Sequence, residues 1–275
     1  MQPILKLFSQ AAVAWHQDNA QRLGAALTFY GIFALAPSLI VIFSLIGQFY
    51  HGAEVKEFVL AQINFWVSEQ GRDFFHQLLA EVTRPEVNRL AFAVGSAVTI
   101  VAATSFVSEF RETFALIWQV KSVPKSRIIV LERIVICLLL LLGLALFLLF
   151  SLLLTTILSD WSNILVQWLA IPISWLKLLD ILLSFSVMTV FLTILFHVLS
   201  PVSLRSSSAL WGAFTTAVLF LIGKQLLTFY FQFSSIGSLY GAASVLMIIL
   251  LWIYYAIQIL LFGLEIVKVH HQKMH

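Results

Sequence analysis

The stretch SLYGAASVLMIILLWIYYAIQILLFGLEIVK, residues 238–268, decides the fold class. It contains no Asp, Glu, Lys or Arg before Glu265, and most of its side chains are aliphatic or aromatic. A helix that crosses a membrane needs about 20 consecutive, mostly apolar residues. Because this run exceeds that length, the sequence predicts a membrane-spanning helix here.

The composition of the whole chain leads to the same class. Hydrophobic residues make up 61% of the 275 residues and charged residues 11%, whereas soluble domains carry about 25% charged residues. So few charges cannot cover a water-exposed surface. Cys137 has no second cysteine to pair with, which excludes an intramolecular disulfide and a Cys/His zinc site. The N-terminal segment lacks the pattern of a cleavable signal peptide.

Six segments are long and apolar enough to span a membrane, so we expect an all-α, polytopic protein whose single domain, 1–275, is a six-transmembrane-helix bundle. The predicted spans are 24–50, 90–118, 128–159, 176–199, 207–235 and 239–267. Pro37 is expected to interrupt the first span, because proline removes a helical hydrogen bond. The connection 51–89 repeats apolar residues at helical spacing and predicts a long outer amphipathic segment between helices 1 and 2, with an ordinary loop as the alternative.

Lysine and arginine are unequally divided between the two sides of this arrangement. With a cytoplasmic N-terminus, the cytoplasmic side receives Lys6, Arg22, Lys121, Lys125, Arg127, Arg133, Arg205, Lys268 and Lys273. The outer side receives Lys56, Arg72, Arg84, Arg89 and Lys177. Cytoplasmic loops carry the excess of positive residues, so both termini are predicted to be cytoplasmic.

Three ionisable residues lie close together in SFVSEFRETFALIW, residues 105–118, near the cytoplasmic end of the second span. At about 100° per residue, Glu109 and Glu112 share one helix face and Arg111 lies on another. One interpretation is an acidic face turned into the bundle as a polar or ion site. The other is a set of interfacial charges that extend to water.

The last span carries two polar residues on one face, Gln258 and Glu265. Glu265 is predicted to reach the height of Arg111, and a charge in a membrane bundle needs a partner. Pairing of Glu265 with Arg111 or Arg22 is therefore expected. Gln258 and Glu265 join Glu109 and Glu112 as the candidate polar or ion site.

Lys224 lies near the middle of the fifth span, and Thr228 lies on the same helix face. A lysine at that depth must find a carboxylate, carbonyl groups or water, or lose its proton. Together with Arg22, Arg111 and Arg205, these two residues form the candidate set for binding a substrate or lipid headgroup. A buried structural pair and a side chain that extends to the interface are the alternatives for Lys224.

Three stretches resemble the YihY/BrkB family of bacterial inner-membrane proteins, formerly labelled ribonuclease BN. They are RLGAALTFYGIFALAPSLIVIFSLIG (22–47), SEFRETFALIWQV (108–120) and YGAASVLMIILLWIYYAIQILLFGLEI (240–266). Where the family's last span usually ends in Gly-Ala-Glu, this chain has Gly263-Leu264-Glu265, which keeps the acid. The resemblance implies a six-helix architecture, an inner-membrane location and an envelope role, with a connection to lipid as one form of that role.

The ribonuclease label finds no support in the residues, because RNA cleavage would need a basic groove with stacking aromatics or a metal cluster. We expect no enzymatic activity, no cofactor, no metal and no nucleic-acid partner. The first functional hypothesis is a lipid or amphiphile transporter or flippase, with membrane lipids as its partners. The alternatives are an ion- or proton-coupled solute transporter or channel, and a non-transporting scaffold that binds an envelope protein or forms a homo-oligomer.

Overall fold

A computed structural model describes residues 2–46, 89–120, 173–233 and 243–274, and single helical positions at 135, 139 and 143. These residues form six helices and no strand. Numbered in chain order, the helices are α1, Gln2–Gln17; α2, Ala20–Ile46; α3, Arg89–Ile117; α4, Ile173–Leu199; α5, Ser206–Phe233; and α6, Ala243–Lys273. The predicted all-α class is confirmed for this part of the chain.

Helices α2 to α6 overlap the first, second, fourth, fifth and sixth predicted spans, with ends shifted by a few residues. α2 continues through Pro37, so the expected interruption there does not end the helix. The predicted third span, 128–159, lies outside the described residues apart from three isolated helical positions. The outer segment 51–89 also lies outside them, apart from its last residue.

Three stretches in these helices are long and apolar enough to cross a membrane: Ile181–Leu199 in α4, Ser206–Gly223 in α5 and Ile249–Lys273 in α6. Large apolar side chains are exposed on the outside of the bundle. Examples are Phe29 at 61% and Phe33 at 64% exposure on α2, and Val101, Leu182, Val190 and Leu226 on other helices. Such a surface is costly in water, but lipid tails solvate it without penalty.

α1 has no counterpart among the elements that the sequence predicted. At 16 residues it is too short to span a membrane, and it is amphipathic instead. Leu7 and Ala11 are buried against Ile266 and Val269 of α6, while Lys6 is exposed. α1 therefore lies across the end of α6 as a short packing helix.

α6 packs against α5, α2 and α1. Its contacts with α2 run antiparallel: Gly31 lies near Ile253, and Gly24 lies near Gln258. α3 packs on α2, and α4 packs on α5. The start of α2 is thus brought beside the second half of α6.

α5 meets α6 through a face of small side chains. Gly212 and Thr216 contact α6 at Gly263 and Val267, and Ala209, Ala213 and Ala217 are buried nearby on α5. Opposite this face lies Gly263, where an added Cβ would collide with the hydroxyl of Thr216. Small residues at three- and four-residue spacing let two helices approach closely within a membrane. The pair is antiparallel, so α5 begins beside the end of α6.

Candidate functional site at the polar end of the bundle

The starts of α2 and α5 and the ends of α3 and α6 meet at one end of the bundle. The Nε2 group of Gln258 donates to the backbone oxygen of Gln21 at 3.2 Å. The rings of Trp118 and His271 lie edge to face with centroids 5.5 Å apart. We call this region the polar end and define it as residues 18–22, 109–118, 205–208 and 258–273.

The centre of the polar end is a buried group of three charged side chains, Asp18, Glu265 and Lys268, which we call the triad. The Nζ atom of Lys268 donates a hydrogen bond to Oδ2 of Asp18. It also lies 3.5 Å from Oε2 of Glu265. Glu265 is 0% exposed, and Lys268 is buried as well. The side chain of Asp18 is 14% exposed, so two carboxylates share one ammonium group that is largely shielded from water.

Local backbone geometry explains how the triad assembles. Glu265 and Lys268 are separated by three residues on α6, a spacing that places two side chains on one helix face. Asp18 lies in the turn between α1 and α2. The next residue, Asn19, has a φ of 53°, a left-handed conformation that asparagine adopts more readily than most residues. This tight turn places Asp18 against the side of α6.

The contacts of Glu265 are weak for so deeply buried a carboxylate. Its contact with Lys268 is an ion pair without hydrogen-bond geometry, and neither carboxylate oxygen has a hydrogen-bond partner among the described residues. Burial of a charge is expensive unless it is paired and hydrogen-bonded. Glu265 is therefore a buried ionisable group whose hydrogen-bonding capacity is not used by the described residues.

Gln258 extends the polar side of α6 towards the middle of the helix. Its amide end occupies the space that a Cβ at position 24 would need, so Gly24 makes room for it. The Oε1 atom of Gln258 is buried and finds no hydrogen-bond partner within the described part of the chain. On the neighbouring turn of α2, the Thr28 hydroxyl donates to the Gly24 carbonyl oxygen at 2.7 Å.

The predicted acidic face of α3 does not point into the bundle. Glu112 is exposed and Glu109 is only partly buried. The buried stripe of α3 is instead apolar and consists of Val107, Phe110, Phe114 and Ile117. Burial of two phenylalanine rings is favourable, whereas burial of an unpaired carboxylate is costly, so the helix turns its aromatic side inward.

The predicted cationic residues are distributed over the surface of the polar end. Arg22 and Arg205 are exposed, and Arg111 is partly buried. The sequence pointed to Arg22 or Arg111 as the partner of Glu265, whereas the structure pairs Glu265 with Lys268. Lys224 and Thr228 belong to α5, but their side chains lie outside the described residues.

The sequence did not identify Asp18 and Lys268 as members of the triad, and it did not predict α1. The spacing of Glu265 and Lys268 was a readable signal, because oppositely charged residues three apart on a helix commonly pair. Asp18 gave no such signal, since its position depends on the turn into α2. Among the described residues, no group of three or more His, Cys, Asp or Glu side chains is arranged to hold a metal ion.

Over residues 11–275, the sequence matches the family model described as Virulence factor BrkB. The chain belongs to this family. This match confirms the resemblance that residues 22–47, 108–120 and 240–266 indicated. The BrkB-family chain is an integral membrane protein, and its described part contains apolar helices of spanning length. No solved structure gives a significant match.

Relatives named UPF0761 membrane protein match most of the chain, as three examples show. The one from Alcanivorax borkumensis is 26% identical over 264 residues, which are 92% of this chain and 58% of that protein. The Haemophilus influenzae protein NTHI0384 is 24% identical over 261 residues, 91% of this chain and 89% of its own length. The Pseudoalteromonas atlantica protein is 26% identical over 245 residues, 88% and 78% of the two chains. This BrkB-family chain thus spans little more than half of the Alcanivorax relative.

Proposed function

We propose that this BrkB-family protein moves or flips an anionic lipid or similar amphiphile across the bacterial inner membrane. The observation that carries the proposal is the junction between the apolar outside of the bundle and three arginines of the polar end, Arg22, Arg111 and Arg205. An amphiphile needs both surfaces at once, one for its acyl chains and one for its headgroup.

The polar end carries charges of both signs, Glu109 and Glu112 included, and its arginines have the sign that an anionic headgroup requires. Arg22 and Arg205 are exposed and Arg111 is half-buried, and in this proposal all three are open to a headgroup that approaches from the interface. Each lysine or arginine near an anionic membrane surface contributes about 1 kcal/mol of attraction. Lys224 and Thr228, further along α5, would carry the polar path towards the middle of the membrane.

The proposal includes the topology expected from the sequence: six spans, with both termini in the cytoplasm. It places the polar end on the cytoplasmic side, where the positive residues are in excess. The reaction is transport without covalent chemistry, so the proposal requires no cofactor. Membrane lipids are the partners, and the proposal does not require a second copy or an envelope protein.

The proposal is tested by mass spectrometry of the lipids that co-purify with the protein. Wild type is compared with Arg111→Ala and Lys224→Ala, and Lys6→Ala, which removes an exposed lysine from α1, is the matched control. We expect wild type and Lys6→Ala to retain one anionic lipid enriched over the bulk membrane, and both test variants to lose it. Bulk lipid that is retained equally by all four proteins would overturn the proposal.

A second candidate function is favoured by the buried carboxylate of Glu265. An ionisable residue inside a membrane bundle often marks a proton or ion path, and both oxygens of Glu265 lack a hydrogen-bond partner in the described region. Proton and cation flux into liposomes is the test, with Glu265→Gln compared against the exposed Glu112→Gln. Normal folded yield with flux lost only in Glu265→Gln supports coupled transport. Lowered yield with unchanged flux per folded molecule assigns Glu265 a structural role.

A further inference from the structure

The start of α5 and the end of α6 form a second cluster of polar side chains, separate from the triad. The sequence LRSSSALW, residues 204–211, places an arginine and three serines in succession where α5 begins. Ser208 is fully buried, and its hydroxyl lies 2.9 Å from Nδ1 of His270. This contact fixes the imidazole ring against the first turn of α5.

Further basic side chains surround this histidine. Arg205, His271 and Lys273 lie close enough to His270 for their charges to act on it. Arg205 and Lys273 are both exposed. Within the described ranges, neither forms an ion pair with an acid, and α5 itself contains no Asp or Glu. The cluster therefore presents positive charge that the described residues do not neutralise.

The backbone at the same place supplies hydrogen-bond donors. The amides of Ser208 and Ala209 donate to the carbonyl oxygen of Arg205. The amides of Ser206 and Ser207 come before this first helical hydrogen bond, so they point out of the helix end. The hydroxyl oxygen of Ser207 is buried and has no hydrogen-bond partner among the described residues. Amides and hydroxyls at a helix start, next to an arginine, match the oxygens of a phosphate group.

An apolar surface begins directly beside these donors. Trp211 is 45% exposed, and its ring centroid lies 6.4 Å from that of His270. Leu210 and Phe214 are exposed on the same part of α5. Tryptophan is enriched where a membrane protein meets the headgroup level. A ligand bound by the polar cluster would therefore continue onto a surface made for acyl chains.

We propose that this α5–α6 corner, formed by Arg205, Ser207, Ser208, Trp211, His270 and Lys273, binds the phosphate of an anionic phospholipid. Arg205 and Lys273 supply the charge, and the start of α5 supplies hydrogen-bond donors. His270 lines the site, and Trp211 packs against the glycerol region. The inference rests on the proposed lipid function and adds the headgroup chemistry and its location.

The apolar surface is what favours a lipid over free phosphate as the source of the bound group. Inorganic phosphate would use Arg205, Lys273 and the donors at the start of α5, but it would gain nothing from Leu210 or Phe214. A phospholipid uses both parts. Binding of a phospholipid and binding of inorganic phosphate are measured separately, which distinguishes the two sources of the phosphate group.

The test uses the full-length purified protein and two probes. The first is phosphatidylcholine vesicles with and without phosphatidic acid, and the second is inorganic phosphate alone. Wild type is compared with Arg205→Ala, Lys273→Ala and the double variant, with Lys6→Ala as the control. Each single change should weaken binding to the acidic vesicles about fivefold and the double change about 25-fold. Lys6→Ala should stay close to wild type.

Several results would overturn the inference. One is a double variant that binds phosphatidic acid as well as Lys6→Ala does. Another is equal binding to vesicles with and without phosphatidic acid. Tight binding of inorganic phosphate with no preference for the acidic vesicles would assign the corner to free phosphate. The charge-conserving changes Arg205→Lys and Lys273→Arg should restore most of the binding, which separates lost charge from lost folding.

The inference and the proposed function fail in different ways. If wild type neither retains nor binds an anionic lipid, the proposed function is wrong and the corner loses its ligand with it. If wild type retains an anionic lipid and the corner variants retain it equally, the proposed function stands and only the location is wrong.

Discussion

Helix α6 meets α5 along Tyr255, Gly263 and Val267, and it meets α1 and α2 along Gln258, Glu265 and Lys268. The first face is tightly packed and uncharged. The second contains a buried ion triad and an amide. Both faces belong to one helix and hold it in the same bundle, yet they should respond to different kinds of substitution.

The difference follows from what drives helix association in lipid. Between apolar helices the hydrophobic effect contributes little, because lipid solvates them equally well, so close packing must provide the attraction. The face towards α5 is therefore sensitive to volume. On the other face the cost of burying charge is large and is offset only by pairing, so that face is sensitive to charge balance.

The largest effect is expected from Lys268→Met, which removes the ammonium group that both triad carboxylates contact. Leaving one side of a buried pair uncompensated costs about 3–5 kcal/mol, and the free energy of unfolding should fall by that amount. Denaturant titration in detergent micelles, followed by circular dichroism, measures it. Lys273→Met, which removes an exposed lysine from the same helix end, is the control. Equal losses in both variants would show that the triad does not stabilise the fold.

A smaller loss is expected from Gly212→Ala on the tightly packed face. The added Cβ would collide with Val267 and lie 2.7 Å from the backbone oxygen of Gly263. A backbone atom cannot move aside without separating the helices, so we expect a loss of about 1–3 kcal/mol. The matched change Gly24→Ala should cost less, because its Cβ meets the mobile end of Gln258. A greater loss in Gly24→Ala would reverse the distinction between the two faces.

Tyr255→Phe should have a modest effect. It removes the hydrogen bond from the tyrosine hydroxyl to the Leu219 backbone oxygen, 3.1 Å long, and leaves the ring against Gly223. Hydrogen bonds between membrane helices contribute about 0.6 kcal/mol on average. The same denaturant titration should resolve this change, with Tyr30→Phe on the exposed side of α2 as the control. A loss above that expected for Gly212→Ala would mean that polar contacts dominate this face as well.

The smallest effect is expected from Val101→Leu on the outside of α3. Val101 is exposed, and a change from one apolar side chain to another on a lipid-facing surface should alter the free energy of unfolding by less than about 0.5 kcal/mol. A clear destabilisation would show that another protein element, rather than lipid, covers this surface.

Much of the helical framework was predictable because it depends on local sequence. The uncharged run before Glu265 required a helix of spanning length, and α6 is that helix. Pro37 was a poor guide to the end of a helix, because α2 continues through it. α1 escaped prediction because its apolar stripe is short and is stabilised by packing on other helices, for example on Ile266 and Val269 of α6.

The candidate site was less predictable. The sequence identified Glu265 and Gln258 as polar residues on one face of the last helix, and both lie at the polar end. It left open whether Glu109 and Glu112 on α3 face the bundle or extend to water; Glu112 is exposed, and Phe110 and Phe114 occupy the buried side. Helical periodicity places residues on a common face, but it does not say which face is buried when two are available.

The sequence by itself determined that this chain is helical and embedded in a membrane, because length and hydropathy act along a single segment. It also determined that Glu265 needs a partner, because a buried charge is costly wherever it lies. The tertiary structure decided that the partner is Lys268, shared with Asp18. That outcome depends on the turn at Asn19 and on how closely α1 and α2 approach α6, and such distances between helices are set by packing rather than by the sequence of any one of them.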